Sequence, residues 1–372
     1  MRYYIIAGEA SGDLHGAHLM RALREQDPQA QFRFWGGDAM AAEGGEPVRH
    51  IRSLAIMGFI EVMLNLRTVL GNITFCKRDI LQWHPDAVIG IDYPGFTLRI
   101  EKWAHQQGIK AIHYISPQLW AWKKGRLRGM RKYLDRLCYI LPFEQDFYAK
   151  NQMPQAVYVG HPLPDEIAET TFAPLKGLPD GEQRPIIALL PGSRRQELKK
   201  CLPQMVTLAN RHPEYCFAVA GMSLIGSDFY QRLIPAGSNV HVLYDQTYSL
   251  LSRSFAAVVC SGTATLETCL FHVPQVVCYR ANAISMALAK ALVGRRINHI
   301  ALVDLIADDN IVTELLQNDF TDEHLEREFQ LITTDSANRA RIEEGYRRVI
   351  ALLGNGGAST RTAQTIIKTI KN

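Results

Sequence analysis

Short runs of apolar residues alternate with longer amphipathic stretches along the whole chain. The amphipathic stretches span ten or more residues and have the spacing of surface helices, for example over 16–25 and 197–211. Alternation of strand and helix patterns predicts βαβ units built around parallel sheets. The pattern therefore predicts two doubly wound α/β domains. The predicted strands are 3–7, 31–35, 87–91, 110–115, 137–141 and 156–159, followed by 186–190, 216–220, 240–243, 256–260 and 275–279.

Chain breakers are concentrated near the middle of the sequence. Prolines stand at positions 162, 164, 174, 179 and 185, and such a concentration indicates a linker. We therefore expect an N-terminal domain over 1–165, a linker over about 162–185 and a C-terminal domain over 185–372. The residues after about 311 have a helical pattern throughout, and we assign them to the second domain.

Composition limits the class of protein. The chain has 372 residues, of which 47% are hydrophobic and 21% charged, as in folded globular proteins. Its net charge of +4 is too small to indicate nucleic-acid binding by itself. Seven cysteines with no C-x-x-C pair favour a reducing compartment over a disulfide framework. No apolar run approaches the length of a transmembrane helix.

The first predicted strand ends in a glycine-rich turn that carries acids. Glu9, Ser11, Gly12 and Asp13 lie where this strand gives way to a helix, at the sheet edge where α/β proteins bind ligands. Glycines allow close approach, and the helix start offers free amides. The carboxylates could hold sugar hydroxyls. The structural alternative is a tight turn in which Asp13 caps the helix.

Asp92 directly follows the buried strand 87–91 and precedes a rigid Pro94-Gly95 turn. An acid at the carboxyl end of a strand is well placed to act as a general base. A turn or helix-cap aspartate is an equally good interpretation of the residues alone.

Two tryptophans, Trp120 and Trp122, precede the basic run Lys123–Lys132. Aromatic rings among basic residues could bind single-stranded nucleic acid or an anionic membrane interface. A buried tryptophan pair beside a solvated basic helix remains open.

Residues 54–70 are almost entirely apolar, with Glu61 and Arg67 as their charged residues. This is too apolar for an ordinary surface helix. The stretch is either a buried helix or a segment that enters a bilayer surface. In the second case the membrane-facing residues are Met63, Leu64, Leu66, Val69 and Leu70.

Two strand-to-helix turns in the second half have the composition of phosphate sites. In the first, Pro191 and Gly192 shape the turn, the helix start beside Ser193 supplies amide donors, and Arg194 adds a charged donor. A plain turn is the alternative. The second turn is the stretch 261–267. Its small residues would let a pyrophosphate approach the helix start. A carboxylate one turn later could accept hydrogen bonds from a ribose diol. Its alternative is a helix start packed on the sheet. The second turn places Ser261, Gly262 and Thr263 at the helix start and Glu267 as the carboxylate.

Sequence signatures of metal-dependent and nucleophilic catalysis are missing. The twelve histidines show no H-E-x-x-H spacing, and neither a Walker A loop nor a G-x-S-x-G turn is present. We expect neither a metal ion nor a cofactor.

Taken together, these motifs resemble the lipid-A-disaccharide synthases, glycosyltransferases of family 19 with the GT-B fold. The resemblance covers nearly the whole chain. The fold it implies is two Rossmann-like domains facing a cleft, with a helical C-terminal segment. The motifs that carry it are Gly8–Asp13, Met57-Gly58, Glu61-Val62, Gly90–Pro94, His113-Tyr114, Ser116-Pro117, Trp120–Trp122, Pro142–Glu144, Gly160–Pro162, Leu190–Arg194, Ser261–Glu267 and Tyr279-Arg280.

The resemblance implies a reaction between two lipid substrates. UDP-2,3-diacylglucosamine would donate its sugar to the 6-hydroxyl of 2,3-diacylglucosamine 1-phosphate, giving a β-1,6 disaccharide 1-phosphate and UDP. Such enzymes are cytoplasmic and bind the inner face of the Gram-negative inner membrane, which favours the membrane interpretation of 54–70 and of the basic run. Nucleic acid is not an expected partner, and a homodimer is left open.

We expect an inverting transfer without metal. Asp92 is the expected base, with Glu9 and Asp13 as alternatives. In place of the family's usual Pro-Asn pair the chain has Val303-Asp304, so no nucleotide contact is transferred to Asp304. The expected acceptor contacts are Ser11, Gly12, His113, Ser116, Trp120 and Trp122. The expected UDP contacts are Gly192, Ser193, Arg194, Ser261, Gly262, Thr263, Glu267 and Arg280.

Three other functions remain open at this stage. A UDP-sugar 2-epimerase shares the nucleotide-binding logic but has no use for an apolar stretch at 54–70. A non-catalytic sugar-nucleotide sensor would bind UDP without turnover. A nucleic-acid-binding protein would use the tryptophans and the basic run, but the small net charge and the two phosphate-type turns argue against it.

Overall fold

Two compact units make up the chain. The computed structural model describes residues 1–53, 66–119, 125–280 and 299–372. The first unit contains residues 1–165 and 355–372, and the second contains 166–354. Each is built on one sheet in which all strand pairs are parallel.

The first sheet has the order β3-β2-β1-β4-β5-β6-β7 and the second β10-β9-β8-β11-β12-β13. In each sheet the strand order reverses once, beside β1 in the first unit and beside β8 in the second. The strands are β1 Arg2–Ala7, β2 Gln31–Gly36, β3 Glu46–His50, β4 Ala87–Ile91, β5 Lys110–Tyr114, β6 Arg136–Tyr139, β7 Ala156–Tyr158, β8 Ile186–Leu190, β9 Cys216–Gly221, β10 Val240–Tyr244, β11 Ser254–Cys260, β12 Gln275–Tyr279 and β13 Thr313–Leu316.

Helices connect successive strands in both units. Short 3-10 helices lie at Ile51–Ser53 and Ser223–Ile225. The described α-helices are α1 Ala10–Gln26, α2 Asp38–Ala42, α3 Leu66–Trp83, α4 Thr97–Gln106, α5 Arg126–Tyr133, α6 Glu144–Lys150, α7 Leu163–Glu169, α8 Arg195–Arg211, α9 Ser227–Gln231, α10 Thr247–Leu251, α11 Thr263–Leu270, α12 Leu302–Ala307, α13 Asp322–Thr333, α14 Ser336–Leu353 and α15 Ala358–Lys371.

Central strands are buried on both faces, which explains why they appear in the sequence as continuous apolar runs. All five residues of β4 are buried, and so are five of the six in β1. Strands covered by helices on both faces lose the alternating pattern of half-exposed strands. The α/β prediction is therefore confirmed, with two doubly wound parallel sheets and helices at the C-terminus.

The C-terminal helix corrects the predicted domain boundaries. We assigned all residues after 185 to the second domain, but α15 belongs to the first unit and packs against α1. The Asp165 carboxylate accepts the N–H groups of Gly357 at 2.7 Å and Ala358 at 3.0 Å, and the Arg361 Nε donates to the Val159 carbonyl at 2.7 Å. The apolar face of a helix shows that it packs, but not on which domain.

Two local expectations also need correction. Residues 311–317 have a helical spacing, but 313–316 form β13, which extends the second sheet beside β12. Pairing with a neighbouring strand outweighs the weak local preference. The predicted linker over 162–185 also contains a helix, α7.

Among the residues described, no helix combines the length and apolarity needed to cross a membrane. All seven cysteines lie in described residues, and each is buried and outside any disulfide.

Candidate active site

The candidate motifs meet at the point of each sheet where the strand order reverses. In the first unit, β1 runs into the Gly8–Asp13 turn and its neighbour β4 runs into Asp92, with Ala7 beside Ile91. In the second, β8 and β11 are neighbours and lead into the Gly192 and Gly262 turns. Ligands of open α/β sheets bind at such switch points, outside the carboxyl ends of the strands.

The turn at Asp92 has a strained backbone. Asp92, Tyr93 and Ile115 have positive φ angles of 45°, 52° and 67°, a region that side chains other than glycine rarely adopt. The Asp92 N–H donates to the Tyr114 carbonyl at 3.0 Å, which fixes the turn against β5. Such strain costs about 1–3 kcal/mol per residue and clusters at functional sites. No sequence signal predicts this strain.

A close packing contact explains the glycine at position 8. A Cβ atom there would overlap the Tyr93 ring. The absence of a side chain therefore lets Tyr93 lie over the start of the turn, whereas we expected this glycine to admit a ligand. Burial raises the pKa of Tyr93, and the nearby Glu9 carboxylate raises it further.

Asp92 has the chemistry of a general base. Its side chain reaches solvent, but the surrounding protein removes enough water to raise the pKa of its carboxyl above the usual value. The positive charges of His113 and His15 oppose this effect. A raised pKa makes the carboxylate a stronger proton acceptor.

Asp13 has a structural position. Its carboxylate accepts the N–H groups of Gly37 at 2.6 Å, Ala39 at 3.0 Å and Met40 at 3.1 Å. These donors lie at the start of α2, so Asp13 caps a neighbouring helix. It is buried and fully occupied by these amides, which makes it a poor choice as the base.

The other residues of the Gly8–Asp13 turn are either packed in the interior or exposed to solvent. Gly12 is buried against Ala7, and a Cβ at Gly12 would lie 3.3 Å from the Ala7 Cβ. Ser11 and Glu9 are exposed at the start of α1. Glu9 makes no side-chain capping bond to this helix. Of the two alternatives to Asp92, Glu9 is therefore the more accessible.

Two predicted acceptor contacts are buried. His113 has no exposed surface, and its Nδ1 lies 2.8 Å from the Glu101 Oε1. The Ser116 hydroxyl bonds to the Tyr148 hydroxyl and donates to the Pro117 carbonyl at 3.0 Å. Both side chains therefore bond to protein groups and are not presented at the open carboxyl edge of the sheet.

Several predicted contacts fall outside the described residues. They are Trp120, Trp122, Met63 and Leu64, together with the side chain of Leu66. Of the other predicted membrane contacts, Val69 packs partly against the core and Leu70 is 52% exposed.

The first phosphate-type turn has open donors. Gly192 has a φ of 101°, and a Cβ there would overlap the Glu197 side chain. The Glu197 carboxylate accepts the Arg194 N–H at 3.3 Å, which closes the first turn of α8. The Arg194 guanidinium lies 3.4 Å from the same carboxylate and is 74% exposed, and Ser193 is exposed beside it.

The second turn combines open amides with a partly buried acid. Gly262 has a φ of 144°, and both it and Thr263 are exposed. The Ser261 hydroxyl donates to the Ile300 carbonyl at 3.2 Å, which fixes the turn. Glu267 lies one turn along α11 and accepts the Tyr248 hydroxyl at 3.3 Å.

Burial raises the pKa of Glu267 to about 7. The Tyr248 hydrogen bond opposes this rise, and the Glu166 carboxylate adds to it. Besides the Tyr248 hydroxyl, this partly buried carboxylate could accept the two hydroxyls of a ribose.

Arg280 and Asp304 are both held by protein groups. The Arg280 guanidinium donates to the Phe320 carbonyl at 2.5 Å and lies over its ring, 5.1 Å from the centroid. Asp304 is buried and accepts the N–H groups of Ile311 at 2.9 Å and Val312 at 3.1 Å. Burial raises the pKa of Asp304 to about 7. In this chain Asp304 holds the turn that precedes β13.

Sequence reasoning assigned no role to three buried titratable groups of the first unit. Glu101 pairs with His113, and Glu144 has a pKa raised to about 8 by burial. His161 has its pKa lowered to about 3, also by burial. The resemblance motifs contain Glu144 and His161, whereas Glu101 stands in an ordinary helical pattern. Within the described parts of the chain, no cluster of three or more His, Cys, Asp or Glu side chains is arranged to hold a metal ion.

Comparison with known proteins identifies the family. The sequence model described as lipid-A-disaccharide synthetase matches residues 3–368. The lipid-A-disaccharide synthase of Chromohalobacter salexigens is 36% identical over 98% of this chain and 96% of its own, and that of Geobacter metallireducens is 34% identical over 99% and 97%. The chain belongs to the lipid-A-disaccharide synthase family. This membership confirms the predicted activity, a hexosyltransferase that forms the lipid A disaccharide with a UDP-sugar as donor.

Solved structures confirm the GT-B fold. The UDP-GlcNAc 2-epimerase from Neisseria meningitidis bound to UDP-GlcNAc superimposes with a TM-score of 0.67 at 14% identity, covering 99% of this chain and 100% of that one. The calicheamicin glycosyltransferase superimposes with a TM-score of 0.61 at 15% identity, covering 100% and 98%. At such identities the likeness concerns the fold, so the epimerase alternative gains no support beyond it.

Proposed function

We propose that the protein transfers 2,3-diacylglucosamine from UDP-2,3-diacylglucosamine to the 6-hydroxyl of 2,3-diacylglucosamine 1-phosphate, with inversion at the anomeric carbon. The observation that carries the proposal is the position of Asp92. It stands on a strained turn at the switch point of the first sheet, with a carboxyl pKa above its usual value. Membership of the lipid-A-disaccharide synthase family supports this choice of substrates.

The second unit binds the UDP half of the donor. Exposed turns at Ser193 and Thr263 present backbone amides at the starts of α8 and α11, where a helix favours negative charge. Arg194 adds a charge-assisted donor. Glu267 accepts the ribose hydroxyls. Donors fixed before the reaction stabilise the charge that develops on the departing phosphate, an effect of several kcal/mol in enzymes of this kind.

The first unit binds the acceptor and removes its proton. The 6-hydroxyl oxygen forms the bond to C1 while the bond from C1 to the phosphate oxygen breaks and UDP leaves with the electron pair. Asp92 takes the hydroxyl proton. A single displacement inverts the configuration and needs no covalent sugar–enzyme intermediate. Since Arg194 and the helix amides offset the charge of the leaving group, we expect full turnover in EDTA.

A basic face on the first unit supports binding to an anionic lipid surface. Helices α3, α4 and α5 pack side by side, and their two acids are buried, Asp79 against Arg33 and Glu101 against His113. A polybasic surface gains about 1 kcal/mol per charge near anionic lipid. A homodimer enters no step of the proposal. Among the side chains that the structure describes, the exposed basic residues of the three helices are Arg78, Arg99, Lys102, Arg128, Arg131 and Lys132.

A radiolabelled assay with both lipid substrates in detergent micelles tests the proposal. The wild type should form the disaccharide 1-phosphate, and Asp92→Asn should lower kcat by about 10²–10⁴-fold, the usual effect of losing a general base. Asp38→Asn, an exposed carboxylate of the same unit, serves as the matched control. UDP affinity should be unchanged in both variants because UDP binds to the other unit.

Each alternative has its own result in this assay. A folded wild type that binds UDP but forms no disaccharide refutes the proposal. Conversion of UDP-GlcNAc to its 2-epimer would then favour the epimerase, and UDP binding without any turnover would favour a sensor. Equal activity of Asp92→Asn and wild type would leave the reaction intact and assign the base to Glu9.

A further inference from the structure

Glu101 and His113 form a buried pair beneath the Asp92 turn. Neither side chain has exposed surface, and the His113 Nδ1 lies 2.8 Å from the Glu101 Oε1. His113 stands on β5 and Glu101 on α4, so the pair joins a strand to the helix that covers it. Buried charges are costly unless they are paired, which explains why these two occur together.

Strand register brings this pair next to the catalytic turn. His113 is directly beside Gly90 of β4, and Asp92 follows Gly90 by two residues. A Cβ atom at Gly90 would overlap the Glu101 Oε1. Glycine at this position therefore gives the Glu101 carboxylate the space from which it reaches His113.

This hydrogen bond uses one polar atom of each side chain and leaves the second one unbonded in the described structure. Within the described residues, the Glu101 Oε2 and the His113 Nε2 are buried and make no hydrogen bond. A buried polar atom without a partner is destabilising and calls for an explanation. A purely structural ion pair would be expected to satisfy both groups, so the free Nε2 indicates a role toward something outside the pair.

The electrostatic surroundings identify that role. Burial lowers the pKa of His113, but the hydrogen-bonded Glu101 carboxylate raises it and, together with two weaker effects, holds this pKa above its usual value. The Asp92 carboxylate and the Ile115 backbone act in the same direction. In return, the His113 charge lowers the pKa of Asp92, which burial raises.

We propose that Glu101 is a positioning residue of the transfer reaction. Its carboxylate keeps the buried His113 ring charged, and that charge keeps Asp92 ionised until the acceptor arrives. Asp92 then takes the 6-hydroxyl proton as the oxygen bonds to C1 and UDP departs. The inference rests on the proposed function, because it assigns the control of the base in that reaction.

Other charged groups near the turn act on Asp92 as well. His15 on α1 lowers its pKa in the same sense as His113, and Glu9 acts on the adjacent Tyr93 ring. Asp13 is occupied by the amides of α2. Glu101 is hydrogen-bonded to His113, so a change at Glu101 acts directly on the charge of that ring.

The pH dependence of kcat/KM for the acceptor tests the proposal in the full chain. In Glu101→Gln the His113 ring becomes neutral, so Asp92 holds its proton to higher pH. The acidic limb of the profile should shift upward by about one pH unit or more, as expected for a charge lost close to a carboxylate. His113→Gln should shift it similarly, and the double variant should shift it no further than either single change.

Asp79→Asn is the matched control. Asp79 is another buried carboxylate of the first unit, bonded to Arg33 at 2.6 Å and to the Tyr4 hydroxyl at 2.8 Å. The substitution removes a buried ion pair that does not include Asp92. The acidic limb of the pH profile of Asp79→Asn should therefore coincide with that of the wild type. If Glu101→Gln lowers the rate but leaves the acidic limb of the kcat/KM profile where it is in the wild type, Glu101 has a merely structural role and the proposal is overturned.

A spectroscopic measurement separates this proposal from the proposed function. With ¹⁵N-labelled histidine, both ring nitrogens of His113 should carry protons at pH 7.5 in the wild type and one in Glu101→Gln, with the resonance assigned by its absence in His113→Gln. A neutral ring in the wild type overturns the inference even if the transfer occurs. Absence of transfer with a charged ring counts against the proposed function alone.

Discussion

The Glu144→Gln variant should lose less folding stability than the wild type as the pH rises into the alkaline range. Glu144 opens α6 with a buried side chain, and burial raises the pKa of its carboxyl to about 8. Its Oε2 accepts the Leu141 N–H at 3.3 Å, and the Ser116 hydroxyl lies beside it. Both hydrogen bonds favour the ionised form but do not outweigh burial. The carboxyl is therefore mostly protonated near pH 7, and glutamine copies that state.

The size of the effect follows from the two pKa values. An unfolded chain ionises this carboxyl near 4.5 and the folded protein near 8. Between these values the folded state binds more protons, so stability is fully present below pH 4.5 and is lost as the pH rises to 8. At about 1.4 kcal/mol per pKa unit, ionising the folded group costs on the order of 5 kcal/mol above pH 8. Glutamine has no such dependence.

Urea unfolding at pH 5 and pH 8.5 measures this difference. The wild type should lose several kcal/mol more than Glu144→Gln over this interval, while the two proteins should be similar at pH 5. Asp146→Asn, an exposed carboxylate on the same helix, should follow the wild type within about 0.5 kcal/mol. Parallel curves for wild type and Glu144→Gln would refute the reasoning, because they would mean that the folded protein already ionises the group at pH 5.

Three further changes have defined outcomes. Asp165→Ala removes the acceptor of the first amides of α15 and should lower the free energy of unfolding by about 1 kcal/mol in urea; an unchanged midpoint would contradict that capping role. Gly8→Ala forces the Tyr93 ring away from the turn and should reduce kcat but not UDP affinity by calorimetry, and wild-type turnover would contradict it. Arg128→Glu with Arg131→Glu should weaken sedimentation with anionic vesicles at low salt, a difference that should fade in 1 M salt and be absent with neutral vesicles.

The central strands were predictable from sequence because they are buried on both faces, whereas the partly exposed edge strands β3 and β13 were missed. Runs such as 87–91 therefore stand out as short apolar segments, and the polar residue after each run must lie at the carboxyl edge. Which strands are neighbours was not predictable in the same way. The pairing of β1 with β4 joins residues more than eighty positions apart, and no local pattern specifies it.

Residue roles that depend on distant partners were missed for the same reason. The sequence around Asp13 is typical of a residue that caps its own helix, but the amides that donate to its carboxylate lie 24 to 27 positions later. His113 has the look of a site residue at a strand end, yet its partner Glu101 sits in an unremarkable helical pattern. The strain at Asp92 also escapes sequence reasoning, because aspartate is compatible with many ordinary turns.

The two switch points solve the same topological problem with different residues. In the second unit the left-handed positions are glycines, Gly192 and Gly262, so the backbone bends without strain and its amides stay open to a phosphate. In the first unit the turn after β4 carries a side chain instead, and Asp92 is held at positive φ by its hydrogen bond to β5. Glycine there would relieve the strain but remove the carboxylate. At the switch points themselves, positive φ therefore falls on glycines in the second unit and on the side-chain-bearing Asp92 in the first, as expected if the proposed reaction needs a carboxylate at that turn.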